Sequence, residues 1–316
     1  MTTASVVASS RPRRTPNRPL SAGRRAAQRR RAFTGWMFIA PFGVVFLLFL
    51  VAPLAYAFYL SLFTKGLATG TEFAWFSNYI AAFTDPSFLR GVGFVVSFSL
   101  VLIPIQMLVS LVVALILDAV TTRFARFTRL VIFLPYAIPA VIGAIMWGFL
   151  YSPTFGPVGQ VFSLFGAHAP FLLDADHVFG ALVNVVTWQW AGYYMIIIYA
   201  ALRGIDPSIY EAATIDGATP WQRFTNVTLP GLRPVSMTVV LLGTIWTFNM
   251  FSVIYLVTGG QPAGQTEILV TGAYRAAFEG IRNYALSATY GVLILSILLV
   301  FSVFYRRLLR RQGEVW

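Results

Sequence analysis

The sequence predicts an all-α protein embedded in a membrane, and three observations support that prediction. Of 316 residues, 58% are hydrophobic and only 11% are charged, whereas soluble domains carry about a quarter charged residues. The apolar residues form long separate runs, each at least about the 20 residues that a helix needs to cross the hydrocarbon core. Transmembrane β-strands would be shorter and would alternate in polarity.

Six apolar segments define the domain organisation. They occupy residues 36–63, 92–117, 130–151, 178–202, 234–258 and 285–305. None of them contains Asp, Glu, Lys or Arg, so we expect six transmembrane helices within a single membrane domain, residues 36–310. Residues 1–35 are rich in Arg, Pro, Ser and Ala and are predicted to form a disordered basic cytoplasmic tail. Residues 311–316 are predicted to be a second cytoplasmic tail.

The basic residues indicate the orientation of these helices. If the N-terminal tail lies inside, the inner connections and tails hold 19 Lys and Arg residues, and the outer connections hold only Lys65, Arg90, Arg275 and Arg282. Inner connections of membrane proteins carry an excess of Lys and Arg, so both termini are predicted to be cytoplasmic. We therefore attribute the net charge of +12 to the orientation of the protein in the membrane and not to binding of nucleic acid.

Several kinds of site find no support in the sequence. The chain has no cysteine, which excludes disulfides and thiolate chemistry. His168 and His177 share one polar connection with no obvious further ligands for a metal site, so we expect solvated loop histidines. We find no paired carboxylates, buried histidine or nucleophile constellation, so a membrane enzyme is not expected.

The connection between the fourth and fifth segments carries helix signals of its own. Asp206 followed by Pro207 predicts a helix start, and Gly217 can adopt the left-handed conformation that ends the helix. Thr219, Pro220 and Gln222 then have the spacing of a second start with a capping box. Pro230 is expected to stop this second helix. The sequence therefore predicts two short helices and a turn against the inner membrane face.

This connection resembles the EAA loop of ABC-importer permeases. The matching residues are Glu211, Ala212, Ala213, Asp216, Gly217, Ala218, Phe224, Leu229 and Pro230. Val227 departs mildly from the pattern, since isoleucine is commoner there. The resemblance implies the type I importer permease fold, in which residues 206–229 form a coupling helix that docks on a separate ATPase subunit.

The chain lacks the usual motif for hydrolysing ATP itself. A Walker A loop needs a lysine after glycine to reach the phosphates, and the only lysine, Lys65, follows Thr64 in a predicted external connection. ATP and Mg²⁺ are therefore expected on the partner ATPase, and no cofactor is expected in this chain.

Further segments are similar to those of maltose-type carbohydrate permeases. They are Phe133–Pro135, Thr187–Trp188, Leu256–Gly260 and Tyr274–Phe278. The similarity is to the maltose-F-type member of a heterodimer, and it implies import of a disaccharide or oligosaccharide through a bacterial plasma membrane. The implied partners are a second, homologous permease, two ATPase subunits and an extracytoplasmic solute-binding protein.

Aromatic and uncharged polar residues of the fourth and fifth segments suit a neutral sugar, because rings stack on its faces and amides or hydroxyls read its hydroxyl groups. The candidate substrate-pathway residues are Trp188, Gln189, Trp190, Tyr194, Trp246, Thr247, Asn249 and Met250. The resemblance assigns sugar contacts to positions near Trp190, Trp246, Thr247 and Met250. The spacing of Trp246, Asn249 and Met250 predicts one shared helix face. The alternative is that the rings anchor the helices at membrane interfaces and the amides bridge helices.

Other transport functions remain open at this point. The second candidate substrate is glycerol phosphate or another small polyol. A self-sufficient channel or secondary carrier is a further alternative, but ion-coupled carriers usually keep charged residues within their spans, and these six segments have none.

Overall fold

A computed structural model describes residues 22–66, 70–119, 123–152, 155–165 and 173–311 of the chain. They fall into two compact units, residues 1–56 and 57–316. The helices in chain order are α1 (Ala22–Phe46), α2 (Ala52–Ser61), α3 (Ser77–Thr84), α4 (Pro86–Ala119), α5 (Arg123–Ala137), α6 (Ala140–Leu150), α7 (Pro157–Leu164), α8 (Val178–Arg203), α9 (Pro207–Ile215), α10 (Pro220–Arg223), α11 (Leu229–Phe248), α12 (Phe251–Val257), α13 (Leu269–Phe278) and α14 (Tyr284–Arg311). Two π-helical segments, Leu47–Val51 and Phe224–Thr228, join α1 to α2 and α10 to α11.

The described N-terminal residues differ from the predicted disordered tail. Residues 22–35 belong to α1, because Ala, Arg and Gln are strong helix formers and continue the apolar helix backwards. Residues 1–21 lie outside the described part of the chain, as do residues 312–316 of the predicted C-terminal tail.

One β-hairpin departs from the all-α prediction. The first apolar helix ends at Ser61, and strands β1 (Phe63–Gly66) and β2 (Gly70–Phe73) pair antiparallel, with Phe63 opposite Phe73. Their rings meet edge to face with centroids 5.3 Å apart. The buried side-chain amide of Asn78 donates to the carbonyl oxygens of Ser61 and Phe63. It therefore satisfies carbonyl groups that would bond to backbone amides if the helix continued.

Helices long and apolar enough to span a membrane make up most of the described chain. Five helical stretches have the length and hydropathy of spans: Phe33–Ser61, Pro86–Ala119, Val178–Arg203, Pro220–Phe248 and Tyr284–Arg310. A sixth candidate is the pair Phe127–Ala137 and Ala140–Leu150, which bends by 92° between its halves. All six predicted apolar segments therefore correspond to helical stretches, two of which are broken.

The break in the third segment follows from Pro139. This residue has an extended ψ of 134° and precedes α6, because proline cannot continue the hydrogen-bonding ladder of α5. The buried amide of Gln189 on α8 donates to the carbonyl oxygen of Ile138 at 3.4 Å. An intramembrane break is tolerated where neighbouring helices supply such partners.

The fifth segment differs from the predicted single helix over 234–258. Its helical stretch begins at Pro220, ends at Phe248 and resumes as the short α12 after Asn249 and Met250. The side chain of Asn249 donates to the carbonyl oxygen of Ile245 at 2.9 Å, which satisfies a carbonyl at the end of α11. Trp246 and the Asn249–Met250 pair therefore do not share one continuous helix face, contrary to the prediction.

The core of residues 57–316 is built around α4 and α8. Phe98 and Leu102 of α4 and Leu182 of α8 are almost completely buried. Hydrogen bonds reinforce this packing, since Gln106 donates to the Val186 carbonyl at 3.2 Å and Ser110 donates to the Ala191 carbonyl at 2.9 Å. Such bonds and close backbone packing hold helices together in lipid.

Gly192 brings α5 directly onto α8. A Cβ atom at this position would lie 2.1 Å from the carbonyl oxygen of Ile132. Only glycine permits this approach, so Gly192 fixes the crossing point of the two helices.

Candidate functional site

The connection between α8 and α11 contains the predicted pair of short helices. Asp206 accepts a hydrogen bond from the Ser208 amide at 2.9 Å and caps α9, with Pro207 as its first residue. Thr219 and Gln222 exchange side-chain and backbone bonds in a complete capping box at the start of α10. The Ser208 amide also holds the pKa of the Asp206 carboxyl below its usual value. Both predicted helix starts are confirmed.

The turn between α9 and α10 depends on Gly217. Its φ of +76° lies in the left-handed region, which residues with a Cβ enter at a cost of about 1 kcal/mol or more. The Gly217 and Ala218 amides donate to the carbonyl oxygens of Thr214 and Ala213. These bonds satisfy the last carbonyls of α9 in the way of a Schellman ending.

The two short helices are tied to each other by side chains. The hydroxyl groups of Tyr210 and Thr228 lie 2.9 Å apart, and Arg223 donates to the Thr214 hydroxyl at 3.1 Å. Ile205 packs closely against Gly231, since a Cβ atom built on Gly231 would lie 2.7 Å from the Ile205 side chain. The pair is therefore a braced element and not a passive loop.

This element presents both charge and apolar surface to solvent. Glu211, Ala212 and Asp216 are exposed. Ile215 at the end of α9 is 86% exposed and Trp221 is 70% exposed, and the Trp221 ring lies 5.6 Å from that of the half-buried Phe224. An exposed apolar pair beside an acidic residue is typical of a protein-binding surface.

Pro230 does not stop the second helix, contrary to the prediction. The intervening turn Phe224–Thr228 is π-helical, and the Leu229 amide donates to the Phe224 carbonyl five residues back. This wider turn carries the helix into Leu229–Phe248, where Pro230 lies in the first turn. The proline ring therefore avoids the carbonyl group four residues before it, with which it would clash in a regular α-helix. The same arrangement precedes Pro53, where Ala52 donates to Leu47. The second short helix, α10, is thus continuous with α11.

A second candidate region is a group of aromatic rings on α5, α8 and α11. The Trp190 and Trp246 rings lie 4.6 Å apart, and Tyr193 lies 5.7 Å from Trp246. Tyr194 lies 6.2 Å from Trp190. A cavity of about 230 Å³ beside these rings is lined by Tyr193, Tyr194, Ile197, Val235, Thr238, Val239, Leu242 and Trp246. We call it the aromatic cavity; none of these lining residues is charged.

The other predicted pathway residues lie elsewhere. Thr247 is buried and donates to the Gly243 carbonyl of its own helix at 2.8 Å, and Gln189 is buried against the break at Ile138. Trp188 faces Trp147, with ring centroids 5.6 Å apart. Asn249 and Met250 occupy the break after α11. Of the eight candidates, the structure brings Trp190, Tyr194 and Trp246 together.

Sequence reasoning missed Tyr136. Its ring stacks on Tyr193 at 4.6 Å and lies 5.3 Å from Trp190, so the third span contributes to the aromatic group. Its position between Pro135 and Pro139 is the signal that could have indicated it, since helix breaks in membranes often line cavities.

A second missed feature joins two of the motifs singled out above. Arg275 donates to the Gly259 carbonyl oxygen, and its Nε lies 3.6 Å from Glu267 Oε1 and 3.8 Å from Glu279 Oε2. The intervening loop is further braced by the hydroxyl groups of Thr258 and Thr266, which lie 2.8 Å apart. Arg275 thus connects the Leu256–Gly260 motif to the Tyr274–Phe278 motif.

The histidines are not brought together with other ligands in the described chain. His177 pairs with Asp174 at 2.7 Å on the surface, and this hydrogen bond holds the pKa of the Asp174 carboxyl below its usual value. His168 lies outside the described residues. Within the described ranges, no group of three or more His, Asp or Glu side chains could hold a metal ion.

Comparisons with known proteins agree with this architecture. The chain is 32% identical to the lactose transport system permease protein LacF of Rhizobium radiobacter over 86% of this chain and 93% of that protein. It is 32% identical to the diacetylchitobiose uptake system permease protein DasB of Streptomyces coelicolor over 92% and 90%. It is 29% identical to the sn-glycerol-3-phosphate transport system permease protein UgpA of Rhizobium meliloti over 88% and 94%.

Among solved structures, a chain of a bacterial ABC transporter involved in the import of the acidic polysaccharide alginate has the same fold. Its TM-score is 0.79 at 24% identity, with 91% of this chain and 99% of that chain covered. Residues 78–314 match the family described as the binding-protein-dependent transport system inner membrane component. The chain belongs to this family.

Proposed function

We propose that this chain is the membrane permease of an ABC importer that moves a disaccharide or oligosaccharide into the cytoplasm. Family membership and the named sugar permeases among its relatives support the transport class. The observation that carries the substrate class is the uncharged aromatic cavity lined by Trp246, whose ring contacts that of Trp190. Tryptophan faces stack on the apolar faces of sugar rings.

The proposed topology has six spans and cytoplasmic termini. It counts the bent pair Phe127–Ala137 and Ala140–Leu150 as one span, and it rests on the 19-to-4 distribution of basic residues between the two sides. The proposed location is the bacterial plasma membrane. In this orientation α9 and α10 lie on the cytoplasmic side.

The second part of the proposal is that α9 and α10 receive force from an ATPase subunit. Glu211 is exposed beside the small residues Ala212 and Ala213, which allow a close backbone approach. Ile215 and Trp221 expose apolar surface, and the Trp221 ring packs against the ring of Phe224. Because the helix runs on from Pro220 to Phe248, movement of the pair would tilt the fifth span, whose Trp246 borders the aromatic cavity.

The assembly proposed from the family resemblance contains four other subunits. A second homologous permease completes the pathway, two ATPases bind ATP and Mg²⁺ beneath the permeases, and a solute-binding protein delivers the sugar outside. This chain contributes no catalytic residue to ATP hydrolysis. Its proposed pathway residues are Tyr136 and the eight candidates from the sequence, namely Trp188, Gln189, Trp190, Tyr194, Trp246, Thr247, Asn249 and Met250.

Glycerol phosphate is the second candidate substrate, because glycerol-3-phosphate permeases occur among the relatives. Phosphate binding favours Arg, Lys or clustered backbone amides. The residues that line the aromatic cavity include none of the cationic types. The uncharged lining therefore favours a neutral sugar over glycerol phosphate as the substrate.

Uptake by the purified assembly tests the proposal. The chain is reconstituted in proteoliposomes with the proposed permease, ATPase and binding-protein partners, and radiolabelled lactose, maltose, trehalose, diacetylchitobiose and glycerol 3-phosphate are offered separately. We expect ATP-dependent uptake of at least one disaccharide. Uptake of glycerol 3-phosphate alone would assign the second candidate function instead.

A further inference from the structure

A second groove runs along α14, apart from the aromatic cavity. Its volume is about 450 Å³, and its lining consists of Phe83 of α3 and six residues of α14 between Leu293 and Phe304. We call it the α14 groove. It shares no lining residue with the aromatic cavity, and none of its lining residues is charged.

The surface of the α14 groove is apolar and open. Val300 is 70% exposed and Phe304 is 66% exposed. The one polar lining residue, Ser296, donates its hydroxyl proton to the Val292 carbonyl oxygen of its own helix at 2.8 Å. The groove therefore suits a hydrocarbon chain.

The length of the groove corresponds to one leaflet of a bilayer. Its lining residues on α14 follow one helix face, at spacings of three and four residues. A rise of about 1.5 Å per residue from Leu293 to Phe304 gives a length of about 17 Å. Half of a hydrocarbon core that is about 30 Å thick measures about 15 Å.

Arginines stand at the end of the groove. Arg307 lies three residues beyond Phe304, so it continues the face of the groove, and Arg310 lies beside that face. Arg306, Arg307 and Arg310 are exposed, and none of them forms an ion pair or a hydrogen bond within the described part of the chain. Because long side chains on a helix lean toward its N-terminus, Arg307 leans back toward the groove.

The orientation of this end of α14 is fixed by Tyr305. Its hydroxyl group donates to the Met237 carbonyl oxygen of α11 at 2.8 Å, and its ring stacks on Phe301 with centroids 5.7 Å apart. Tyr305 and Arg307 are two residues apart and therefore lie on nearly opposite sides of the helix. The bond to α11 thus turns Arg307 and the groove away from α11.

We propose that the α14 groove binds an acyl chain of an anionic phospholipid whose phosphate pairs with Arg307. Basic clusters beside a membrane span attract anionic lipids, and a guanidinium group binds phosphate in a bidentate manner. One lipid molecule matches both the apolar groove and the cationic end, which are arranged along one helix face. In the proposed topology this end of α14 is cytoplasmic, so the lipid belongs to the inner leaflet. This lipid site goes beyond the proposed transport function and does not depend on the substrate.

Photolabelling in vesicles tests the proposed lipid site. The assembled transporter is reconstituted in phosphatidylcholine vesicles that contain a trace of phosphatidylglycerol with a photoreactive diazirine on its acyl chain. After irradiation, the adducts on this chain are located by mass spectrometry. We expect adducts on residues 293–304. Unlabelled phosphatidylglycerol should compete with the probe, whereas added phosphatidylcholine and soluble glycerol 3-phosphate should not.

Two pairs of variants separate a defined site from general contact with lipid. Arg307→Gln should raise the fraction of phosphatidylglycerol that halves the labelling by about 5-fold, because a basic residue near the membrane surface contributes about 1 kcal/mol. Arg306→Gln removes the same charge about 100° further around the helix from the groove and should leave this fraction unchanged. Val300→Trp fills the groove and should abolish the adducts. Leu299→Trp, on an exposed residue outside the lining, should not.

Four results would overturn the proposal. They are the absence of adducts on residues 293–304, equal competition by phosphatidylcholine, equal competition by glycerol 3-phosphate, and equal shifts for Arg306→Gln and Arg307→Gln. Absence of lipid adducts together with a crosslink from Val300→Cys to a second permease would assign the groove to a protein contact instead. Sugar uptake is not needed for any of these readouts, so failure of the lipid site and failure of the import function are distinguishable.

Discussion

Gly217 is the residue on which the shape of the proposed coupling region depends most. Its φ of +76° reverses the chain between α9 and α10, and the amides of Gly217 and Ala218 complete the end of α9. No atom comes within 4 Å of a Cβ built on Gly217, so backbone conformation and not crowding restricts this position. We therefore expect Gly217 to tolerate substitution by a residue that readily adopts the left-handed conformation.

We predict that Gly217→Pro uncouples transport from ATP hydrolysis, because proline holds φ near −65°. Uptake should fall about tenfold or more, equivalent to roughly 1.4 kcal/mol in the coupled step, while membrane insertion is unchanged. Glu211→Lys should act in the same direction by reversing an exposed charge. Gly217→Asn is the matched control and should retain most uptake. Normal uptake and ATP hydrolysis in the proline and lysine variants would contradict the coupling assignment.

Trp246 lines the aromatic cavity, and its ring lies 4.6 Å from that of Trp190. We predict that Trp246→Ala lowers sugar uptake about 10-fold or more, because stacking and burial of such a ring contribute about 1.5 kcal/mol or more. Trp36→Ala, on an exposed ring of the first span, should leave uptake unchanged. Unchanged uptake by Trp246→Ala would remove Trp246 from the substrate pathway.

At the scale of elements, the broken spans are where sequence reasoning was least accurate. The capping residues Asp206 and Thr219 predicted helix starts correctly, because a cap acts through bonds to its own neighbours. Pro230 was interpreted wrongly, because the π-helical turn that accommodates it depends on a backbone register that composition does not reveal. The break at Asn249 is not revealed by composition either, because it depends on a hydrogen bond from the Asn249 side chain to the Ile245 carbonyl oxygen.

The crossing of α5 and α8 gives a first prediction at this scale. Gly192→Ala should destabilise the folded protein by about 1–3 kcal/mol, the usual effect of overpacking, because its Cβ would collide with the Ile132 carbonyl. Gly93→Ala is the control, since no atom lies within 4 Å of a Cβ at that site. Thermal unfolding of the two purified variants in detergent measures the difference. Equal midpoints would show that α5 moves aside at little cost.

The loop between α12 and α13 gives a second prediction at this scale. Arg275→Gln removes the charged group that bridges Gly259, Glu267 and Glu279, so amide hydrogen exchange over residues 258–267 should accelerate about 5- to 10-fold, as a lost hydrogen bond of about 1 kcal/mol implies. Arg282→Gln, on an exposed residue outside this network, should not change it. If exchange in the Arg275 variant matches that of wild type, the threonine pair Thr258 and Thr266 holds the loop without Arg275.

At the scale of the whole molecule, hydropathy predicted the membrane class and the six apolar segments, since span length is set by the bilayer and not by tertiary contacts. The structure adds which rings meet across helices. Trp190 and Trp246 are 56 residues apart in the sequence, and their contact depends on packing of α8 against α11. Gln189 and Thr247 looked equally suitable as sugar contacts, but internal hydrogen bonds use their side chains.

The central claim is that an ATPase subunit drives this membrane domain through α9 and α10. Ile215 ends α9 and is 86% exposed, so Ile215→Cys gives a single reporter in a chain without native cysteine. The assembled transporter is treated with a short thiol-to-amine crosslinker and the adducts are identified by mass spectrometry. We expect an adduct with the ATPase subunit. Labelling of this cysteine by an impermeant reagent from outside the cell, with no ATPase adduct, would contradict it.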